Sequence, residues 1–130
     1  MNAETQLQDA LQEWQRLAEA EGEAIRVSNW ALVAECQKAL RDLRPKLNEF
    51  TRTAREEWAS LGAQARSKQD ALRLALGGLI EIESRNYARL TALRQSAESR
   101  LEQLESASRT LRQVRRSYSS AAPAAWTSFS

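Results

Sequence analysis

The stretch "LIEIESRNYARL", residues 79–90, spaces its apolar residues three and four positions apart, as on one face of an α-helix. Two polar residues, Glu83 and Asn86, fall on that face or beside it. A polar residue on a buried helix face costs stability but fixes the register, because a helix that slipped would leave it without a partner. We therefore predict that Glu83 and Asn86 set the alignment of this helix against its neighbours. The alternative is that Glu83 lies at the edge of the face and extends its carboxylate to water.

The spacing continues beyond both ends of this stretch. A seven-residue repeat comprises Leu76, Glu83, Leu90, Ala97, Leu104, Leu111 and Tyr118, and it is flanked by Ile80, Tyr87, Leu93, Leu101 and Val114. Such a repeat is typical of a long helix in a coiled coil. We predict this helix over residues 67–117, with Ser67 and Asp70 forming a capping box at its start. Gly77 and Gly78 indicate either a close helix crossing or a bend.

Two shorter amphipathic helices precede the long one. The first, over residues 3–27, has a seam made of Leu7, Leu11, Trp14, Ala18, Glu21 and Ile25. The second, over residues 30–61, has two seven-spaced columns, Val33, Leu40, Leu47, Ala54 and Leu61 beside Cys36, Leu43 and Phe50. Ser28 or Asn29 can cap its start, and Gly62 ends it. Because the columns stay in phase across Pro45, we expect a kink there and not a helix boundary.

No segment shows the alternation of a β-strand, so the predicted fold is all-α: an antiparallel three-helix coiled-coil bundle with a long C-terminal helix. The bundle domain is expected over residues 1–118, with a flexible tail over residues 119–130. At ~1.5 Å per residue, the third helix is predicted to extend roughly 25 Å beyond its partners. Its uncovered apolar residues form a predicted partner-binding surface, Leu101, Leu104, Leu111, Val114 and Tyr118. A fold-back of the first helix, or a homodimer, is the alternative cover.

Composition argues against several classes of protein. The chain has 130 residues, of which 42% are hydrophobic and 28% charged, which suits one soluble domain. It contains no run of 18 or more apolar residues, and acids occur early, at Glu4, Asp9 and Glu13. We therefore expect no membrane insertion, no secretory signal and a cytoplasmic location.

Residues suited to catalysis are scarce. The chain has no histidine and a single cysteine, Cys36, so the usual general base and any multi-cysteine metal site are missing. The four glycines form no phosphate-binding loop. We therefore expect no enzymatic activity and no catalytic, cofactor-binding or metal site. Trp14, Trp30 and Trp58 lie on or near the apolar stripes, and we expect them, like Cys36, to pack in the core.

Charge is distributed unevenly along the chain. Residues 1–60 carry 8 Lys/Arg against 11 Asp/Glu, a net −3, and residues 61–130 carry 11 against 6, a net +5. Arg109, Arg112 and Arg116 share one helix face, which raises the possibility of a nucleic-acid patch. Cations in the last turns of a helix also complement its dipole. We favour that second interpretation, and a basic nucleic-acid-binding protein is the least favoured function.

Two stretches resemble the FlgN family of flagellar export chaperones. One is "LIEIESRNYARL", with its asparagine before a leucine-rich run that ends in a basic helix with Tyr118; the other is "EGEAIRVSNWALVAECQKAL", residues 21–40. The resemblance covers roughly residues 5–118. It implies a helical cytoplasmic chaperone that holds the C-terminal helical region of hook-associated proteins before type III export.

The resemblance also implies roles for particular residues. Members of the family bind the client through apolar surface on the C-terminal helix, and here Leu104, Leu111 and Val114 match that surface. A tyrosine near the end of that helix contributes to docking on the export gate, and Tyr118 matches it. A structural coiled-coil adaptor or stalk of a secretion machine, with a self-paired third helix, is the alternative function.

Overall fold

A computed structural model describes residues 2–121 and the side chains of residues 2–118. It contains three α-helices: α1 at Ala3–Arg26, α2 at Trp30–Trp58 and α3 at Ala63–Ala121. No residue in the described range belongs to a β-strand, so the all-α prediction is confirmed. The predicted tail begins inside α3, because residues 119–121 are helical, and the rest of it lies outside the described residues.

Asparagine caps both shorter helices. The Asn2 side chain accepts a hydrogen bond from the Thr5 N–H at 2.8 Å, and this opens α1. Asn29 accepts from the Leu32 N–H at 3.3 Å and opens α2, so it is Asn29 and not Ser28 that caps this helix. Ser28 instead lies in the turn with a φ of 59°. Each cap satisfies one of the backbone donors that a helix start leaves free.

The second helix passes through Pro45 without ending. Buried residues keep their phase on both sides of the proline, with Leu40 before it and Leu47 and Ala54 after it. The prediction that Pro45 is not a helix boundary is therefore confirmed. The helix ends at Trp58, three residues earlier than predicted, and the chain reverses through Gly62, whose φ of 64° suits a residue without a Cβ.

The third helix begins earlier than predicted. It starts at Ala63 directly after Gly62, and the Ala65 N–H bonds to the Gly62 carbonyl at 3.1 Å. The capping box of Ser67 and Asp70 is therefore wrong, because the tight turn starts the helix at once and places both residues inside it. Gly77 is not at a close helix crossing either, since a Cβ there would meet nothing within 4 Å.

Contacts divide the chain into two compact units, residues 1–90 and residues 91–130. The sequence predicts a single domain over residues 1–118. In the first unit, Lys68 donates hydrogen bonds to both carboxylate oxygens of Glu4, at 2.8 and 2.9 Å, near the starts of α3 and α1. Further along the same two helices, Asn86 bonds to Glu21. The two helices therefore run in the same direction within this unit.

The core of the first unit is apolar and draws on all three helices. Its buried members are Ala3, Leu7, Ala10, Trp14, Leu17, Ala18, Leu40, Leu47, Ala54, Trp58, Leu72 and Leu79. Cys36 is also buried, as predicted, but Trp30 is half exposed, so its predicted core position is wrong. Trp30 is the first residue of α2, beside the turn, where little of the chain can cover it.

The buried column of α3 differs from the predicted one. Leu72, Leu79 and Asn86, seven residues apart, are the buried positions of this helix in the first unit. Ile80 and Tyr87, which were expected beside the seam, are 64% and 70% exposed. The face that α3 turns to the core is therefore rotated away from these two side chains.

Leucine burial gives a test of the fold with an internal control. Leu72 is 4% exposed and Leu104 is 67% exposed, although both belong to α3. We expect Leu72→Ala to lower the free energy of unfolding by about 2–5 kcal/mol, because it leaves a cavity in the core. Leu104→Ala should change it by less than about 0.5 kcal/mol, as surface substitutions do. Urea unfolding followed by circular dichroism measures both; equal losses would contradict this assignment of the core.

Candidate functional site

The second unit presents apolar side chains to solvent along one side of α3. We call the set Leu93, Leu101, Leu104, Leu111, Val114 and Tyr118 the α3 seam. Its members are between 41% and 69% exposed. Steps of three, four, seven and eight residues, each close to a whole number of turns, keep them on one side of the helix. All five residues predicted to bind a partner belong to this set, so the structure places each of them on the surface.

Exposure is general in this part of the chain. From residue 92 to residue 118 every described side chain is exposed, and none is buried. Arginines share the segment with the seam, and one of them, Arg112, donates to the Ser108 hydroxyl at 3.2 Å. The segment therefore offers an apolar stripe flanked by charged residues of both signs and buries almost none of it in the fold.

A buried polar cluster joins α3 to α1 in the first unit. Asn86 Nδ2 donates to the Ala18 carbonyl at 2.8 Å and to Glu21 Oε1 at 3.0 Å. Asn86 and Glu21 are both only 4% exposed. Because both partners are acceptors, the amide group must present its nitrogen to α1. Asn86 thus has the specific partners that a register-fixing residue requires, and that role remains a prediction.

Gly22 makes room for this cluster. A Cβ at position 22 would lie 2.8 Å from Asn86 Oδ1, closer than side-chain carbons approach oxygen. Asn86 cannot easily move aside, because its two hydrogen bonds hold it against α1. The glycine therefore allows the close approach of α3 that the hydrogen bonds need.

Glu83, the second predicted register residue, lies one turn before Asn86 and has no comparable partner. The residue is half buried, and its Oε1 is buried without a hydrogen bond. Burial raises the pKa of the Glu83 carboxyl, and the neighbouring Glu21 raises it further. Arg44 and the Trp14 indole act in the opposite direction. Glu83 is therefore an acid whose charged form is poorly stabilised by its surroundings.

Glu83 lies in the wall of an open groove of about 450 Å³ in the first unit. Trp14 comes from α1 and Leu47 from α2, and α3 contributes the remaining lining residues, Leu76, Leu79, Ile80, Glu83, Ser84 and Tyr87. Glu83 is the one charged residue among them. The groove is thus an apolar surface with a single acid in it.

Other kinds of site are not found over the part of the chain that the structure describes. Within residues 2–121, no three metal-ligating side chains are grouped to hold an ion. None of the described helices has a stretch long and apolar enough to span a membrane. Comparisons of the chain with protein-family models, with curated proteins and with solved structures give no match.

Sequence reasoning missed two residues of the polar cluster, Glu21 and Gly22. A signal for Glu21 was present, because it interrupts the apolar seam of α1 as Asn86 interrupts that of α3. Two polar residues on the apolar faces of two helices indicate a buried pair. The sequence gives no indication of the role of Gly22, because the need for a glycine there depends on the position of the Asn86 amide in the folded protein.

Substituting Gly22 tests the cluster, and Gly78 supplies the control. We expect Gly78→Ala to stabilise the protein by about 1 kcal/mol, because alanine is the better helix former and its Cβ meets nothing within 4 Å. Gly22→Ala should instead destabilise it by about 1 kcal/mol, because displacing Asn86 breaks two buried hydrogen bonds. In an Asn86→Ala background Gly22→Ala should become stabilising. Urea unfolding of the variants measures the change in the free energy of unfolding that Gly22→Ala causes. If that change has the same sign with Asn86 and with Ala at position 86, the proposed contact is contradicted.

Glu83 gives a prediction for pH. Its folded-state pKa is raised, so the folded protein holds this proton more tightly than the unfolded chain, and stability falls as pH rises through that range. We expect Glu83→Gln to be more stable than the parent at pH 7, on the order of 1 kcal/mol, with the difference vanishing in acid. Glu4, whose pKa Lys68 lowers, responds to acid equally in both proteins. Urea unfolding at several pH values measures the difference in stability between Glu83→Gln and the parent. If that difference grows on acidification, the raised pKa of Glu83 is contradicted.

Proposed function

We propose that this protein is a cytoplasmic chaperone, and not an enzyme, that holds an apolar helix of a client protein along the α3 seam. The observation that carries the proposal is the exposure of that seam, whose leucines at Leu101, Leu104 and Leu111 are each more than half exposed. Contiguous apolar surface of this kind usually marks a protein interaction site.

The chemistry of the seam suits a helical client. Residues at three- and four-residue steps form the stripe into which an amphipathic helix packs its own apolar side chains. Covering one exposed leucine contributes about 1.5–3 kcal/mol, so a few of them suffice for a specific complex. Such packing also hides the client's apolar helix from aggregation, which is the task of a chaperone.

The setting that we propose is flagellum biogenesis, with the C-terminal helical region of a hook-associated protein as client before type III export. The support is the resemblance of residues 5–118 to the FlgN family, with Leu104, Leu111 and Val114 at the client surface. Tyr118, which is exposed at the end of the described side chains, is proposed to dock on the export gate.

We further propose that residues 1–90 pack as an antiparallel coiled coil, with α2 opposed to α1 and α3. The seven-residue spacing of the buried positions supports it, both on α2, at Leu40, Leu47 and Ala54, and on α3, at Leu72 and Leu79. Arg44 lies 6.0 Å from the ring of Trp14, which brings the middle of α2 to the middle of α1.

A second candidate uses the same observation. The α3 seam of one copy can pair with that of another, which would make the protein a homodimeric adaptor or stalk of a secretion machine.

Nucleic-acid binding by Arg109, Arg112 and Arg116 is the third and least favoured candidate. Phosphate contacts depend steeply on salt, whereas apolar packing does not, so a salt series separates it from the other two.

The chaperone proposal predicts the effect of shortening two seam leucines. Leu104→Ala combined with Leu111→Ala should weaken binding of the hook-associated C-terminal fragment by about 2–4 kcal/mol, because both side chains are buried by the client. Isothermal titration calorimetry measures the affinity. Leu74→Ala is the control, since Leu74 is 80% exposed on α3 but lies outside the seam. Equal losses for Leu74→Ala and the seam pair would contradict the proposal.

Backbone exchange and export complete the test. Amides of residues 100–118 should exchange quickly in the free protein and slowly with the fragment, because unpacked turns open readily. Tyr118→Ala should leave fragment binding unchanged and reduce client export. If residues 100–118 are already protected in a free dimer, the adaptor candidate is favoured over the chaperone.

A further inference from the structure

The groove around Glu83 is separate from the α3 seam and has its own apolar pattern. On α3, Leu76, Ile80, Glu83 and Tyr87 follow one another in steps of four, three and four. These are the spacings at which one helix anchors another. Ile80 and Tyr87 are mostly exposed, so this part of the pattern faces solvent, whereas Leu76 also packs against the edge of the core.

Each of the other two helices contributes one residue to the groove. Trp14 of α1 and Leu47 of α2 are both buried core residues that also reach the groove. These two lining side chains are therefore held in place by the core before any partner binds. At about 450 Å³ the space suits the side chains of a helix that lies along α3.

The charge in the groove limits which helix can bind. Glu83 takes part in no ion pair among the described residues, and its Oε1 accepts no hydrogen bond. Glu21 on α1 disfavours the charged form of Glu83, and Arg44 on α2 and the Trp14 indole favour it, but Arg44 lies over the Trp14 ring and forms no ion pair with Glu83. A wholly apolar helix would bury this carboxylate further, which costs free energy unless a cation accompanies it.

We propose that this groove is a second docking site, and that its occupant is an amphipathic helix carrying one lysine or arginine whose cation pairs with Glu83. The apolar residues Leu76, Ile80 and Tyr87 provide the contact area, and Glu83 determines which helices can bind. A helix with a neutral or acidic residue at that position is rejected, because it leaves the carboxylate buried without a counter-charge. The site does not depend on the function proposed for the α3 seam.

Two synthetic peptides test the proposal with the full chain. Both are acetylated amphipathic helices of leucine, alanine and glutamine, labelled with fluorescein; one has a single central lysine and its twin has norleucine there. We expect the lysine peptide to bind about tenfold more tightly by fluorescence anisotropy, which corresponds to about 1.4 kcal/mol. Glu83→Gln should reduce that preference to less than about twofold.

Three further variants separate the groove from the rest of the surface. Glu81→Gln removes a neighbouring exposed acid of α3 that does not line the groove, and it should keep the preference. Ile80→Ala with Tyr87→Ala should weaken both peptides. The Leu104→Ala, Leu111→Ala protein should keep the preference for the lysine peptide, because that preference depends on Glu83 and not on the seam, so failure of the seam and failure of the groove remain distinguishable.

Five results would overturn the proposal. The first is equal binding of the two peptides, and the second is an unchanged preference in Glu83→Gln. The third is loss of the preference in Glu81→Gln, which would indicate general attraction between charges. The fourth is a dimer in sedimentation that dissociates on Ile80→Ala with Tyr87→Ala, which would show a second copy in the groove. Absence of any binding by either peptide would count against it equally.

Discussion

The packing of residues 1–90 depends on the two hydrogen bonds that the Asn86 amide donates to α1. They satisfy a backbone carbonyl at Ala18 and a buried carboxylate at Glu21 with one side chain. A shift of α3 along α1 would leave Glu21 buried without its donor, at a cost of about 1–3 kcal/mol. Leucine layers alone tolerate several alignments, so we predict that the amide selects one of them. Gly22 belongs to the same constraint, because it provides the space in which the amide lies.

The same alignment creates the open groove. With Asn86 directed at α1, the residue one turn earlier, Glu83, falls where no donor reaches its Oε1. Ile80 and Tyr87 then face solvent, because side chains three and four positions apart share a helix face. Two polar residues three positions apart thus have different surroundings: one is satisfied inside the unit, and the other is left for a partner.

Local patterns were sufficient for the parts of the fold that local chemistry decides. The three helices, a cap at Ser28 or Asn29 and the passage of α2 through Pro45 follow from capping and from apolar phase. The face that α3 turns to α1 did not follow, because the predicted column of Leu76, Glu83 and Leu90 is as apolar in the sequence as the buried column of Leu72, Leu79 and Asn86. The choice between them depends on a contact with Glu21, 65 residues away along the chain. The exposed seam could be predicted because it requires no such contact. The groove could not, because its lining residues come from all three helices.

The single thiol of the chain has a practical consequence. Cys36 is buried on α2, and burial together with Glu21 and Glu35 raises the pKa of its thiol. A thiol reagent therefore has neither access nor much thiolate to attack while α1 and α2 stay together. The rate at which the reagent modifies Cys36 therefore measures how often α1 and α2 separate, and no engineered probe is needed. A cysteine introduced on the surface would react first, so attachment chemistry can be directed elsewhere while Cys36 stays native.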